Sequence, residues 1–154
     1  MIAYLSGGME NVQNEDADLP SDMTNWLKGN LGHDTIDTVI ESKKLVLANG
    51  AEEYQDCKTT NHGKYKEFIQ LLINQDLRAV IDKVDYLIVL WDESILYGGG
   101  THGEVTVAYW VDRPIFLVNK LPKEKLSGWI SYCSTETFNS FDELKKALLA
   151  EFHS

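Results

Sequence analysis

Cysteine is scarce in this 154-residue chain: Cys57 and Cys133 stand far apart, outside any C-x-x-C pattern. Two such residues are too few for a disulfide framework and wrongly spaced for a zinc site. A reduced, cytoplasmic setting is therefore expected. Basic residues are also in short supply, with 14 Lys and Arg against 24 Asp and Glu and a net charge of −10. That balance argues against a nucleic-acid polymer or an anionic membrane as the main partner, but it does not bear on a nucleotide-sized ligand. No apolar run approaches the roughly 20 residues of a membrane span. The opening "MIAYLSGGM" has no basic n-region, so no signal peptide is expected. The four histidines, His33, His62, His102 and His153, are scattered without ligand spacing, and no metal or other cofactor is expected. Repeats and low-complexity tracts are absent, and the length suits one domain, 1–154, burying roughly 70% of its unfolded surface.

The sequence does contain alternating strand and helix signals. "MIAYL" reads as a short buried strand ending in the "SGGM" turn, and the acidic stretch from Glu10 to Pro20 reads as a loop. "SDMTNWLKGNLG" reads as a short helix with Ser21 as N-cap and Gly32 just past its end. "DTIDTVIES" alternates apolar and polar residues as a strand would, and "LANGAEEYQDCKTTNHG" reads as a long polar connection. "KYKEFIQLLINQDLRAVIDK" predicts a helix with Tyr65, Ile69, Leu72, Ile73, Leu77 and Val80 on one face. "DYLIVLW" and "PIFLVN" are continuous apolar strands, as in a sheet covered on both faces, with a helix through "EVTVAYWV" between them. A short strand is expected within "WISYCSTETF", and "SFDELKKALLAEF" predicts a helix opened by a Ser140–Glu143 capping box. The pattern predicts a single α/β domain, doubly wound around a mainly parallel sheet, a Rossmann/flavodoxin-like three-layer sandwich. Ligands of such sheets bind beyond the carboxyl ends of the strands, where "SGGM", "DESILYGGGTHG" and "NKLPKEK" lie.

The glycine loop "YGGGTHGEV" contains the literal pattern G-x-G-x-x-G at Gly98, Gly100 and Gly103. A dinucleotide site needs a tight turn straight off the strand and an acid after the next strand. Here six residues separate Trp91 from Gly98, and the next strand ends in Asn119-Lys120. There is no G-K-[ST], so a P-loop fails as well. A structural reading of "THGE" is a capping box, with Thr101 capping the helix and Glu104 reaching back. A second observation favours chemistry: Asp76 sits in the apolar stripe of the long predicted helix, where a carboxylate needs a partner or a polar pocket. With Glu104, it would make a carboxylate pair suited to acid/base or nucleophilic work.

Three pieces of the chain together resemble the nucleoside 2-deoxyribosyltransferase-like family. "AYLSGG" is similar to the family's opening strand, where a tyrosine orients the catalytic glutamate, a position matched by Tyr4. "NQDLRAVIDKVDYLIVL" resembles its helix-then-strand segment, where Asp76 matches the site aspartate. "GGGTHGEVTVAYWVDRPIFLV" resembles the stretch that carries the nucleophilic glutamate, matched by Glu104. The pieces cover about half of the chain. Where transferase members carry a further acid before the glutamate, this chain has Gly98.

The resemblance implies cleavage or transfer at the N-glycosidic bond of a nucleoside or nucleotide, ribo or deoxy. Glu104 would stabilise or trap the sugar at C1′, held by Tyr4 and kept ionised by the helix amides. Asp76, or Asp92 at a strand end, would bind a sugar hydroxyl or handle the proton of the base. Ser6, Gly7 and Gly8 would offer donors to a hydroxyl or a 5′-phosphate, and Gly99, Gly100 and Thr101 would let the backbone approach the sugar. Water as acceptor gives a hydrolase and a second base gives a transferase. Trp26, Trp91, Tyr97, Tyr109 and Trp110 are stacking candidates, although large aromatics more often belong to cores or interfaces. The resemblance also implies a homo-oligomer. A non-catalytic nucleotide-binding or interaction module on the same fold is the alternative, as is a defence enzyme cleaving a dinucleotide.

Overall fold

A computed structural model describes residues 1–7 and 20–153, without the side chains of Pro20, Ser21 and Tyr97. The acidic loop expected from Glu10 to Pro20 and the candidate Gly8 therefore fall outside the described residues, apart from the backbone of Pro20. Five parallel strands form one sheet: β1 (Ile2–Gly7), β2 (Asp34–Asp37), β3 (Tyr86–Trp91), β4 (Ile115–Asn119) and β5 (Glu136–Phe138), in the order β2-β1-β3-β4-β5. Seven α-helices accompany them among the described residues: α1 (Pro20–Leu31), α2 (Thr38–Ala48), α3 (Cys57–Thr60), α4 (His62–Arg78), α5 (Gly100–Trp110), α6 (Gly128–Cys133) and α7 (Phe141–Phe152). This is the doubly wound, three-layer Rossmann/flavodoxin-like α/β arrangement. No helix among the described residues is long and apolar enough to cross a membrane.

Strand alternation sorts the core into two layers. Ala3, Leu5, Tyr86, Ile88, Leu90, Phe116 and Val118 pack under Met23 and Leu27 of α1 and Phe141, Leu144 and Leu148 of α7. Tyr4, Leu87, Val89, Trp91, Ile115 and Leu117 face the other way, against Ala79 and Val80 beyond α4, Val105 and Ala108 of α5 and Ile130 of α6. Every residue of β3 and β4 is buried, the outcome expected of unbroken apolar strands covered on both sides.

Several local predictions shift. α1 begins at Pro20, so Ser21 lies inside the helix, and proline takes the first position, where its missing N–H costs nothing. Its far end matches expectation: Gly32 takes φ +68°, and the amides of Gly32 and His33 donate to the carbonyls of Lys28 and Leu27. The alternation of "DTIDTVIES" holds only through Asp37, whose side chain accepts the Val39 amide and starts α2. The polar connection after it largely winds into helix and turn. Along α4 the buried side is Phe68, whereas Ile73 is exposed. The helix then passes into a π-helical turn over Ala79–Lys83, where the Val84 amide donates to the Ala79 carbonyl, and Arg113 donates to the Val80 and Ile81 carbonyls. Ser140 caps α7 by accepting the Glu143 amide, while the Glu143 carboxylate accepts the amide of Asn139 rather than that of Ser140.

Perturbed ionisable groups cluster at the amino edge of the sheet. Nδ1 of buried His33 lies 2.8 Å from the Tyr86 hydroxyl, and its ring meets Phe152 edge-on. Burial first, then the N-terminal ammonium, lowers the His33 pKa, with Asp85 opposing. Burial also raises the Tyr86 phenol well above its ordinary value.

Candidate functional site

The chain leaves β1 toward β2 and leaves β3 toward β4, in opposite directions, so a crevice opens between the carboxyl ends of β1 and β3. Gly7 sits at that end with φ +88°, and a Cβ there would stand 2.2 Å from the Leu90 carbonyl oxygen. Only glycine allows β1 to run this close to β3 while turning. Ser6, one residue earlier, points to the same side of the sheet as Tyr4.

That side is roofed by α5. Its first residue, Gly100, follows Gly99, which supplies no side-chain cap. Thr101 is thus already one residue inside the helix and lines the cavity, instead of standing ahead of α5 as a capping residue. Glu104 is buried together with Val105 and Ala108, and the Ser6 hydroxyl donates to its Oε2. Its Oε1 lies 3.8 Å from where a Gly100 Cβ would be. Glu104 is the fifth residue of α5, beyond the first turn, where the helix dipole acts most. The Ser6 hydroxyl is therefore a closer source of support for the carboxylate than the helix amides. Tyr4 is fully buried in the core layer that holds Val105 and Ile95.

Ser6, Gly7, Asp76, Gly100, Thr101 and Glu104 all line one cavity of about 740 Å³. Residues 62 to 104 thus bring both carboxylates to the end of β1. Three other candidates stand apart from the lining: Tyr4, Asp92 and Gly99. Asp92 is used locally: its Oδ1 accepts the Ser94 amide at 3.0 Å and the Ser94 hydroxyl at 2.5 Å, fixing the 3-10 turn Glu93–Tyr97. The stacking candidates are also displaced. Trp91 is core, Trp26 lies under the Lys145 ammonium at 5.9 Å, and Tyr109 and Trp110 are exposed on α5. The Tyr97 side chain lies outside the described residues.

Among the described residues the aromatic side chain in the cavity wall is Tyr54, which packs on Phe68 with ring centroids 4.5 Å apart and accepts from Gln55 Nε2 at 2.8 Å. Val46, Leu47 and Leu72 continue that apolar wall, while Thr38, Ser42, Lys43 and Ser94 add polar groups. Thr38 also donates to the Leu5 carbonyl at 3.1 Å, tying α2 to β1. None of these residues was a site candidate from the sequence, where Leu72 figured only in the apolar face of the long helix. The available signal was Asp37 as a helix N-cap, masked by the apolar–polar alternation that continues past it. The chain matches no protein-family model and no curated protein sequence.

Proposed function

We propose that this cavity binds a nucleoside or nucleotide and cleaves or transfers its N-glycosidic bond, with Glu104 as the group at C1′. The observation that carries the reading is the buried Glu104 carboxylate, held by the Ser6 hydroxyl, in the wall of a cavity that Asp76 shares. Burying a carboxylate is costly unless it is hydrogen-bonded, and sites of chemistry are where that cost is commonly met. A cavity of about 740 Å³ has the dimensions of small-molecule sites. Its two kinds of wall suit a nucleoside, with Tyr54, Val46 and Leu72 against the planar base and the hydroxyl-bearing side against the sugar.

In the proposed reaction the bond between C1′ and the base nitrogen breaks as positive charge develops on the sugar ring. The Glu104 carboxylate stabilises that centre or forms an ester with C1′, as in retaining glycoside hydrolysis. The departing base keeps the bonding electron pair and gains a proton, for which Asp76 is the candidate donor. Water or a second base then takes the sugar, regenerating the carboxylate. Ser6 holds Glu104 in place, and Gly100 leaves room beside its Oε1.

The test is release of free base from a panel of ribo- and deoxynucleosides and their 5′-monophosphates, with and without an acceptor base, separated by chromatography. Base release that is lost in Glu104→Ala and Glu104→Gln supports the reading. Intact substrates throughout, with binding to the cavity retained, would replace it by the non-catalytic nucleotide-binding module.

A further inference from the structure

A second hollow, of about 390 Å³, opens where the end of α2 meets the segment around α3 and the first half of α4. That volume is within the range of small-molecule sites. Its floor is apolar and consists of Ala51, Tyr54, Phe68 and Leu71. The Tyr54 and Phe68 rings are tilted by 42° to each other, and Leu71 is left exposed. Tyr54 belongs to the walls of both this hollow and the larger cavity.

The rim is charged. Glu52, Glu53 and Glu67 stand against Lys64, an excess of two negative charges. None of the three carboxylates takes a hydrogen bond or an ion pair among the described residues. The hollow is also bordered by residues 49–51, which follow directly on the carboxyl end of α2. No basic residue occupies the last turn of that helix, so the negative end of its dipole adds to the field of the rim.

We propose that this hollow binds a small organic ammonium ion of the α,ω-diamine class. The proposal is independent of the chemistry in the larger cavity.

Charge complementarity selects a cation, because carboxylates and a helix carboxyl end act together on one small space. The arrangement of the acids selects an organic cation over a metal ion. A hard metal ion needs several oxygen ligands converging on one point, and no three acidic side chains converge in that way among the described residues. Separated carboxylates call for an extended ligand, and the surface below them is hydrocarbon. A diamine answers both features. Its two ammonium groups match the excess of two negative charges, and its methylenes cover Leu71. An ammonium group beside the Tyr54 ring gains further from the face of the aromatic system.

The test is titration of the full chain with cadaverine, the five-carbon diamine, followed through amide NMR shifts. A background of about 150 mM salt screens charges more than about 8 Å apart and suppresses loose attraction to the acidic surface. Saturable shifts centred on residues 49–71 are expected. Pentanediol, which keeps the length without the charge, and methylammonium, which keeps a charge without the chain, are each expected to bind roughly 5-fold more weakly or worse. The triple variant Glu52→Gln, Glu53→Gln, Glu67→Gln is expected to weaken cadaverine by roughly 5-fold or more. A control triple, Glu124→Gln, Glu136→Gln, Glu151→Gln, makes the same charge change at exposed positions outside the hollow and is expected to leave binding within about 2-fold. All six side chains are exposed, so both triples are expected to keep the wild-type circular dichroism. Equal weakening in the two triples would reduce the binding to the general acidity of the chain and overturn the proposal. Ca²⁺ shifting the same amides as strongly as cadaverine would also overturn it, as would the absence of saturation by about 10 mM diamine.

Discussion

The Ser6 hydroxyl at the end of β1 donates to the carboxylate of Glu104, 98 residues further along the chain. Both side chains are buried, so the bond orients a charged group that water reaches poorly. A hydrogen bond to a charged group contributes about 1.5–3 kcal/mol. Ser6→Ala is therefore expected to lower kcat for base release by roughly 10- to 100-fold, with KM little changed. An equal loss in KM alone would place Ser6 in substrate binding instead.

Asp76 and Asp92 provide a matched contrast, because one lines the cavity and the other serves its own loop. Asp76→Asn is expected to impair turnover or nucleoside binding while the melting temperature stays near wild type. Asp92→Ala is expected to preserve binding and to cost about 1 kcal/mol of stability through the lost cap. Calorimetry with a non-reacting nucleoside, alongside thermal unfolding, separates the two; an exchange of phenotypes would reverse their roles.

Gly7→Ala combines a positive φ with a Cβ placed 2.2 Å from the Leu90 carbonyl oxygen. The backbone term alone costs about 1–3 kcal/mol, and the contact forces β1 and β3 apart. A fall in melting temperature of roughly 4–8 °C or more is expected for a chain of this length. A melting temperature within a degree of wild type would mean that β1 does not approach β3 in this way.

His33 sets a stability dependence on pH. Its folded-state pKa lies below 6.5, chiefly because the ring is buried. The unfolded chain therefore takes up the proton first as pH falls. Stability from this group is complete above about pH 6.5 and declines as pH drops from there toward the folded value. Thermal unfolding between pH 7.5 and 5.5 should show the decline, and His33→Gln should flatten it. An unchanged slope in the variant would assign the effect to other groups.

Much of the fold was legible because β1, β3 and β4 are short apolar runs bounded by turns, and the β2–β3 and β3–β4 crossovers carry long helices. Asp76 was legible as a carboxylate in an apolar stripe, although it ends up half-buried, and Glu104 was legible through the glycine loop and the family resemblance and ends up buried. Ser6 was visible only as a possible donor to ligand, since its contact with Glu104 depends on the angle at which α5 crosses β1. Tyr54 and the α2 wall were hidden by a sequence pattern in which strand and helix periods overlap between Thr35 and Ser42. Tyr109 and Trp110 read as stacking candidates or as core or interface residues, because a run such as "TVAYW" does not reveal which flank of its helix faces the sheet.

The π-helical turn at Ala79–Lys83 works as a phase adjuster between α4 and β3. A π turn holds one residue more than the α-helical turn it replaces. Each residue of an α-helix advances the azimuth by about 100°. Deleting a single residue from this turn would therefore dial α4 round by more than a quarter of a revolution against the fixed strand, carrying Asp76 and Leu72 off the cavity wall together. The spacing between Asp76 and Glu104 is thus set by a turn that carries no chemistry of its own.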